Sequence, residues 1–366
     1  MEAVGIILAG GKNYRMKELS TKRAIAAMPV AGNYRCIDFA LSSFTNSRVS
    51  KVAVLAQYNA RSLNEHLNSS KWWNFGRKHG GLYVFNPTTT ADNVSWYRGT
   101  ADALYQNIDF LKKSHEPYAV IVGGDGVYSI DFSRVLKFHV EKNADITVVV
   151  KDFPEGADVS RYGVVRMDED QRIIDFEEKP VMTSSRQVST GMYIMRRRKL
   201  IEALEKCDEE ERFDFVNDII IRHKNSKRIY GYKLREYWGS ISSVEDYYNI
   251  NMAFLRPEIR DYFFKNGKGL YTKVDDCPPA KYNVDSDVSN SIVSGGCIIN
   301  GKVGNSVLFP SVYVGNNCII KNSIILNGVY IDNNTHIENC IVESRTRLKA
   351  NSFYSGDEGI RVINIK

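Results

Sequence analysis

Gly10 and Gly11 close an apolar run, residues 4–9, and are followed at once by Lys12 and Arg15. A buried strand that stops in a glycine pair lets backbone N–H groups approach a phosphate, with cations nearby to neutralise it. The loop matches neither common phosphate grip. A P-loop needs a second glycine followed by Lys-Ser/Thr, and the dinucleotide fingerprint needs GxGxxG, which Asn13 and Met16 break. Read by itself, the stretch is equally a glycine-rich turn after a first strand.

Four further stretches carry chemistry-bearing residues. Tyr97-Arg98-Gly99-Thr100-Ala101-Asp102-Ala103 sets a Gly-Thr step before a helix, where N–H groups could meet a base or phosphate, or where Thr100 could simply cap. Asp125 follows an apolar run and Gly123-Gly124, a position from which a carboxylate could hold Mg²⁺ against phosphates or cap a turn. Glu177-Glu178-Lys179-Pro180 places a lysine beside two acids, for a sugar phosphate or a surface ion pair. Ser189-Thr190-Gly191-Met192-Tyr193 brings a hydroxyl and a glycine to a strand start.

The elements that must position these residues follow from periodicity. Strands are predicted at 4–9, 52–55, 119–122 and 146–151, and helices at 60–67, 101–112 and 132–142. Strands alternating with helices predict a mostly parallel sheet covered on both faces, with ligands at the carboxyl ends of its strands. The loops at Gly10-Gly11 and Gly124-Asp125 both fall at such ends. Trp72-Trp73, Phe75-Gly76 and Gly80-Gly81 read either as a loop over the site or as one packed on the sheet.

After about residue 280 the pattern changes. Asn290-Ser291-Ile292-Val293 is echoed at Asn305-Ser306-Val307-Leu308, Asn322-Ser323-Ile324-Ile325 and Asn339-Cys340-Ile341-Val342. A period near 17 with Ile or Val about every six residues is the mark of a parallel β-helix, with Asn, Gly and Asp turning its corners. Three to four coils are expected at 285–350. The resulting organisation is 1–255, a polar linker at 256–283, and the β-helix at 284–366.

At 366 residues, two domains are expected. The net charge of +6 is interspersed, which argues against a nucleic-acid stripe. Arg196-Arg197-Arg198-Lys199 reads as a solvated strand end or helix start, or as an anion site. Six cysteines without a CxxC pair fit neither a zinc site nor a disulfide framework, and Cys297, Cys318 and Cys340 read as buried thiols. No histidine pair has metal-ligand spacing. His66, His79, His115, His139 and His223 read as surface or satisfied core residues. Without a basic leader or a span-length apolar run, a cytoplasmic protein with no membrane or nucleic-acid partner is expected.

In order and spacing these motifs resemble the bacterial glucose-1-phosphate adenylyltransferase (ADP-glucose pyrophosphorylase) family over essentially the whole chain. The resemblance rests on Leu8-Ala9-Gly10-Gly11, Tyr34-Arg35-Cys36-Ile37-Asp38-Phe39, Gln57-Tyr58, the 97–103 stretch, Gly124-Asp125, Glu177-Glu178-Lys179-Pro180, Ser189 with Gly191, Phe213-Asp214-Phe215 with Asp218, and Tyr237-Trp238. It implies a Rossmann-like nucleotidyltransferase domain followed by a left-handed parallel β-helix. It also implies the reaction of ATP with glucose 1-phosphate to give ADP-glucose and pyrophosphate, with Mg²⁺. Gly10, Gly11, Arg15, Gln57, Gly99, Thr100 and Ala101 would bind nucleotide. Tyr97, Gly163, Glu178, Lys179, Ser189 and Asp218 would bind the sugar phosphate. Asp125 would be a metal ligand.

Three departures matter. Asn13 and Tyr14 stand where the family loop has a glycine, and Asn there would tolerate the left-handed conformation while blocking close approach of a triphosphate. Ile25 stands where the family has a lysine, and Ser240 where it has the second acidic Mg²⁺ ligand. The catalytic set Arg15, Ile25, Asp125 and Ser240 is therefore degenerate. The pattern resembles the GlgD-type subunit that accompanies a catalytic GlgC-type subunit, and implies a regulatory, weakly active or inactive partner open to small anionic effectors. The alternative, an enzyme in its own right, needs Lys22, Arg23 or Glu245 to replace the missing groups. An acyltransferase built on the β-helix would rest on His336, its one histidine. Open solenoid ends and an exposed Phe309-Pro310 with Tyr313 predict a tetramer.

Overall fold

The computed structural model describes residues 2–76, 80–88, 96–265 and 268–365. It forms two compact units, one of Met1–Gly11, Ala40–Ala60 and Leu67–Trp238, the other of Lys12–Phe39, Arg61–His66 and Gly239–Lys366.

The first unit is built on a nine-stranded sheet. Its strands are β1 (Ala3–Ala9), β2 (Lys51–Ala56), β3 (Gly81–Phe85), β4 (Tyr118–Gly123), β5 (Ile146–Asp152), β6 (Gly163–Met167), β7 (Ile173–Glu178), β8 (Gln187–Arg196) and β9 (Ile229–Lys233). The parallel core runs β4-β1-β2-β3. The near-continuous apolar runs of β1, β2 and β4 are what such doubly covered strands require. β8 then enters antiparallel to β4 and β5, and β9 pairs parallel with β5. Val4, Ile6, Ala53, Ile121, Val148 and Ile194 are all buried. Helix Arg197–Glu209 covers the sheet through Leu200 and Leu204.

The helix expected at 101–112 is two, Thr100–Gln106 and Ile108–Lys112, broken at Asn107. The Asn107 amide donates to the Tyr97 hydroxyl at 3.0 Å and to the Ala103 carbonyl at 2.9 Å, so its side chain competes with the helix ladder. Arg196 ends β8 and Arg197 begins the next helix, donating to the Glu116 and Leu111 carbonyls at 2.7 and 2.8 Å. The basic run is thus a strand end and helix start. Trp73 and Phe75 are buried, and Thr45 of helix Cys36–Asn46 donates to the Trp73 carbonyl at 2.6 Å, so this turn is held by that helix.

The second unit contains the β-helix, three five-stranded parallel sheets beginning at Lys281–Tyr282, Asp287–Ser289 and Ile292–Val293. It therefore has five coils rather than three to four, because the last coil, which ends in strand Arg361–Ile363, lacks the Asn-Ser echo. Ile299, Val303, Leu308, Val314, Ile320, Ile325, Ile331, Ile337 and Val342 fill its interior together with Cys297, Cys318 and Cys340. The echoed asparagines turn the corners at positive φ, including Asn305 (47°), Asn322 (46°) and Asn334 (56°). Their amides ladder from coil to coil, as Asn305 to Asn322 at 2.7 Å and Asn334 to Asn351 at 3.0 Å.

The interval expected as a linker holds a helix, Pro257–Phe264, started by its proline and anchored by buried Phe263 against Phe39 and Phe254. Phe309 is buried at 2 % exposure and Tyr313 stacks on Tyr330 at 4.6 Å, so the exposed apolar patch that motivated a tetramer is not present at Phe309. The phenylalanine sits in the third strand-to-corner position of its coil, donating its N–H to the Ile325 carbonyl at 2.9 Å. His336 packs edge-on against Phe353 at 5.0 Å.

Candidate functional site

Three parallel strands deliver the nucleotide-side residues of the first unit to one edge. β1 ends in Gly10-Gly11, β2 in Gln57, and β4 in Gly124-Asp125. The strands are in register there, Ala9 opposite Ala56 and Leu8 opposite Gly123. The Gly124 N–H donates to the Leu8 carbonyl at 2.9 Å and ties the Asp125 loop to the end of β1. A Cβ on Gly10 would stand 3.3 Å from the Gln57 Cβ, whereas one on Gly11 would meet nothing within 4 Å. Gly10 thus serves packing, while Gly11 faces open space where an anion can approach its backbone.

Gln57 is buried and reads the next segment in both directions. Its Oε1 accepts from the Tyr97 N–H at 3.0 Å and its Nε2 donates to the Tyr97 carbonyl at 3.4 Å. Burial raises the Tyr97 phenol above its ordinary pKa. Arg98 donates through its N–H and guanidinium to Asp102 at 2.7 and 3.0 Å. Gly99, rather than Thr100, is the cap residue of the helix that follows. A Cβ at Gly99 would fall on the Phe213 carbonyl oxygen. That carbonyl accepts from the Ala101 N–H at 2.7 Å and the Asp102 N–H at 3.3 Å, and the Thr100 hydroxyl accepts from the Phe215 N–H at 2.8 Å. The helix N-terminus is therefore docked on the 213–215 turn.

The sugar-side residues converge on Tyr193. Ser189 lies 3.3 Å from the Tyr193 hydroxyl. Burial pushes that phenol far up, and the carboxylates of Glu178, Asp214 and Asp125 push it further. Glu178 sits at the end of β7, with Lys179 Nζ 3.3 Å from its Oε1. Gly163 opens β6 directly beneath, where a Cβ would meet Phe176 and Glu178 at 2.7 and 2.9 Å. Lys179 turns the chain at φ 51°, donating its N–H to the Tyr162 carbonyl at 3.0 Å. Three carboxylates with a buried phenol and a serine hydroxyl form a set suited to hydroxyl-rich ligands.

Asp218 is oriented differently from the other sugar-side residues. It lies in the π-helical turn Val216–Ile220, where its Oδ2 accepts from the Asp214 N–H at 2.9 Å and its Oδ1 is 3.7 Å from Arg212. It positions Asp214. Asp214 and Tyr193 are the two residues that motif reading did not place in the site, although both stood inside quoted motifs.

Arg15, Ile25 and Ser240 belong to the second unit. Arg15 is exposed, its N–H donating to the Asn13 side chain at 3.0 Å. Asn13 is extended (φ −126°), not left-handed, and its amide donates to the Ser242 carbonyl at 2.6 Å. The positive φ of this loop falls on Lys17 instead (45°). Ile25 opens the short turn Ile25–Ala27 and is half-buried. Ser240 ends strand Trp238–Ser240.

Of the groups that could replace the missing charges, Arg23 pairs with Glu343 at 2.6 Å and donates to Ser344 at 3.1 Å. Glu245 is exposed in the first turn of helix Val244–Ala253. Among the described residues no group of three or more His, Cys, Asp or Glu side chains could hold a metal ion. Mg²⁺ is commonly held by only one or two carboxylates together with substrate phosphates, and Asp125 is a residue that could contribute to such a site. Both buried, His66 bonds to Asp38 at 2.7 Å, and His139 bonds through Nδ1 to Thr147 at 2.8 Å while its Nε2 meets no partner among the described residues, so His139 is only half satisfied. His115 is exposed and His223 half-buried, while His79 lies outside the described residues. No helix among the described residues is long and apolar enough to cross a membrane.

Residues 4–256 match the family model described as nucleotidyl transferase, and residues 278–356 match a GlmU-like, C-terminal hexapeptide model. The chain is 38 % identical over 323 residues to the glucose-1-phosphate adenylyltransferase of Clostridium novyi (strain NT), covering 87 % of this chain and 84 % of that protein. It is 39 % identical over 324 residues to the enzyme of that name from Thermosipho melanesiensis, covering 87 % and 77 %. A glycine-ended parallel sheet with a phosphate-accessible edge, followed by a hexapeptide β-helix, defines a nucleotidyl transferase with an appended solenoid. Within that class the chain belongs to the glucose-1-phosphate adenylyltransferase family.

Proposed function

We propose that this chain is a regulatory subunit, weakly active or inactive by itself, that modulates a catalytic GlgC-type partner in ADP-glucose synthesis from ATP and glucose 1-phosphate. The observation that carries the reading is the metal side of the site. Asp125 has a neutral serine, Ser240, at the position where the family resemblance puts its acidic counterpart. In-line attack of a sugar phosphate on an α-phosphate places charge on oxygens that need cations beside them. Ile25 supplies none, and Arg23 is committed to Glu343. The family reaction uses Mg²⁺. What the chain's own residues do is hold ligands. Gly11 leaves its backbone approachable, and Glu178, Asp214, Ser189 and Tyr193 can accept and donate to sugar hydroxyls.

The test is pyrophosphate release from ATP and glucose 1-phosphate with Mg²⁺, for this chain, for a GlgC-type subunit, and for the mixture. Negligible turnover by the chain with a changed maximal rate or effector response in the mixture is expected. Ordinary enzyme rates from the chain by itself would overturn the reading in favour of a competent adenylyltransferase. A tetramer with the partner is the expected assembly, checked by light scattering of the mixture.

A further inference from the structure

We propose that the cavity between helix Arg197–Glu209 and the turns Val216–Ile220 and Ile221–His223 is a binding site for a small oxyanion, a phosphate or phosphomonoester group, with Lys227 as its principal cation. The inference stands whether or not the chain turns over nucleotide. The cavity measures about 280 Å³, room on the order of nine water-sized groups. Ala203, Cys207 and Ile219 make an apolar floor, and Lys199, Lys206, Arg212, His223 and Lys227 bring positive or protonatable groups to its walls.

The acids on the same walls are already neutralised. Glu202 is 2.7 Å from Lys199. Glu210 is approached by Arg212 at 2.8 Å, Arg222 at 3.3 Å and Lys206 at 3.8 Å. Asp218 has Arg212 at 3.7 Å and the Asp214 N–H at 2.9 Å. Lys227 is different. It is half-buried, and its ammonium has no ion pair or hydrogen bond among the described residues. The acid that acts on it from outside the cavity, Asp145, is held by Arg228 at 3.3 Å. Burial loosens its proton, with Lys199 acting in the same direction and Asp145, Cys207 and the wall carboxylate Glu202 against it. A partly desolvated cation over an apolar floor is an uncompensated cost, and an anion between Lys227 and the wall cations removes it. Burial keeps the Cys207 thiol protonated, so the floor does not compete for the cation.

The experiment is isothermal titration of the full chain with inorganic phosphate and, in a second arm, with glucose 1-phosphate. Three variants are compared with wild type: Lys227→Met, Lys227→Arg and Lys179→Met. Lys227→Met is expected to weaken phosphate binding at least about tenfold, while Lys227→Arg and Lys179→Met retain it. Binding that survives Lys227→Met and is lost in Lys179→Met would place phosphate in the candidate sugar-phosphate site and overturn the proposal. Absence of binding at millimolar phosphate would overturn it as well. The two arms separate a free ion from an ester. A readout in the unmutated chain guards against a folding defect. Phosphate should slow amide hydrogen exchange in helix Arg197–Glu209 and the turns at 216–223, followed by peptide mass spectrometry, and an unchanged rate at saturating phosphate would refute occupancy.

Discussion

Replacing His139 with glutamine should change how the stability of the first unit depends on pH. His139 lies on helix Phe132–Glu141, is 1 % exposed, and bonds through Nδ1 to the Thr147 hydroxyl at 2.8 Å. Its Nε2 meets no partner among the described residues. Burial, reinforced by the charge of Arg196 and opposed by Asp145, lowers its pKa to about 4. In the unfolded chain the imidazole returns to about 6.5. Between these values the unfolded chain takes up a proton that the folded chain refuses, so stability is full above about pH 6.5 and falls as the pH drops toward 4. At about 1.4 kcal/mol per pH unit the whole loss is about 3.4 kcal/mol, of which about 2 kcal/mol has accrued by pH 5. The four tryptophans, Trp72, Trp73, Trp96 and Trp238, all lie in the first unit, so urea unfolding followed by tryptophan fluorescence reports it. His139→Gln costs stability at pH 7.5 through lost packing, and the gap to wild type should then close by about 2 kcal/mol on going to pH 5. Wild-type and variant curves that stay parallel within about 0.5 kcal/mol over this range would refute the reasoning.

Other outcomes follow from the same geometry. Gly99→Ala forces a Cβ onto the Phe213 carbonyl and should cost about 2 kcal/mol or more, whereas Gly11→Ala should stay within about 0.5 kcal/mol, both read by urea unfolding. Arg23→Met strands Glu343 at 13 % side-chain exposure and should destabilise the second unit by about 3 kcal/mol by circular dichroism, with Glu343→Gln in the same background recovering part of it. If lost charges set the rate, Ile25→Lys with Ser240→Asp should raise pyrophosphate release at least about a hundredfold, and an unchanged rate would remove those positions from the account.

Much of this molecule is legible before folding because its signals are local. The apolar runs that become β1, β2 and β4 need only neighbouring strands to bury them. The Asn-Ser echoes mark the β-helix because a left-handed corner tolerates Asn, so each coil repeats the same chemistry. That Ile25 and Ser240 are uncharged is likewise plain from the sequence, since no fold can put a charge on either side chain. What it could not show was everything that depends on partners distant along the chain. Phe309 looked exposed from its neighbours but is covered in the folded coil. Segment 256–283 looked polar overall, yet Phe263 finds Phe39 and Phe254 and makes a helix worthwhile. Asp214 is held through its N–H by Asp218, four residues on in the π-turn Val216–Ile220, and its charge acts on Tyr193. Residue type fixes which charges exist, whereas burial and long-range contact decide which of them are spent on one another and which, like Lys227, remain for a ligand.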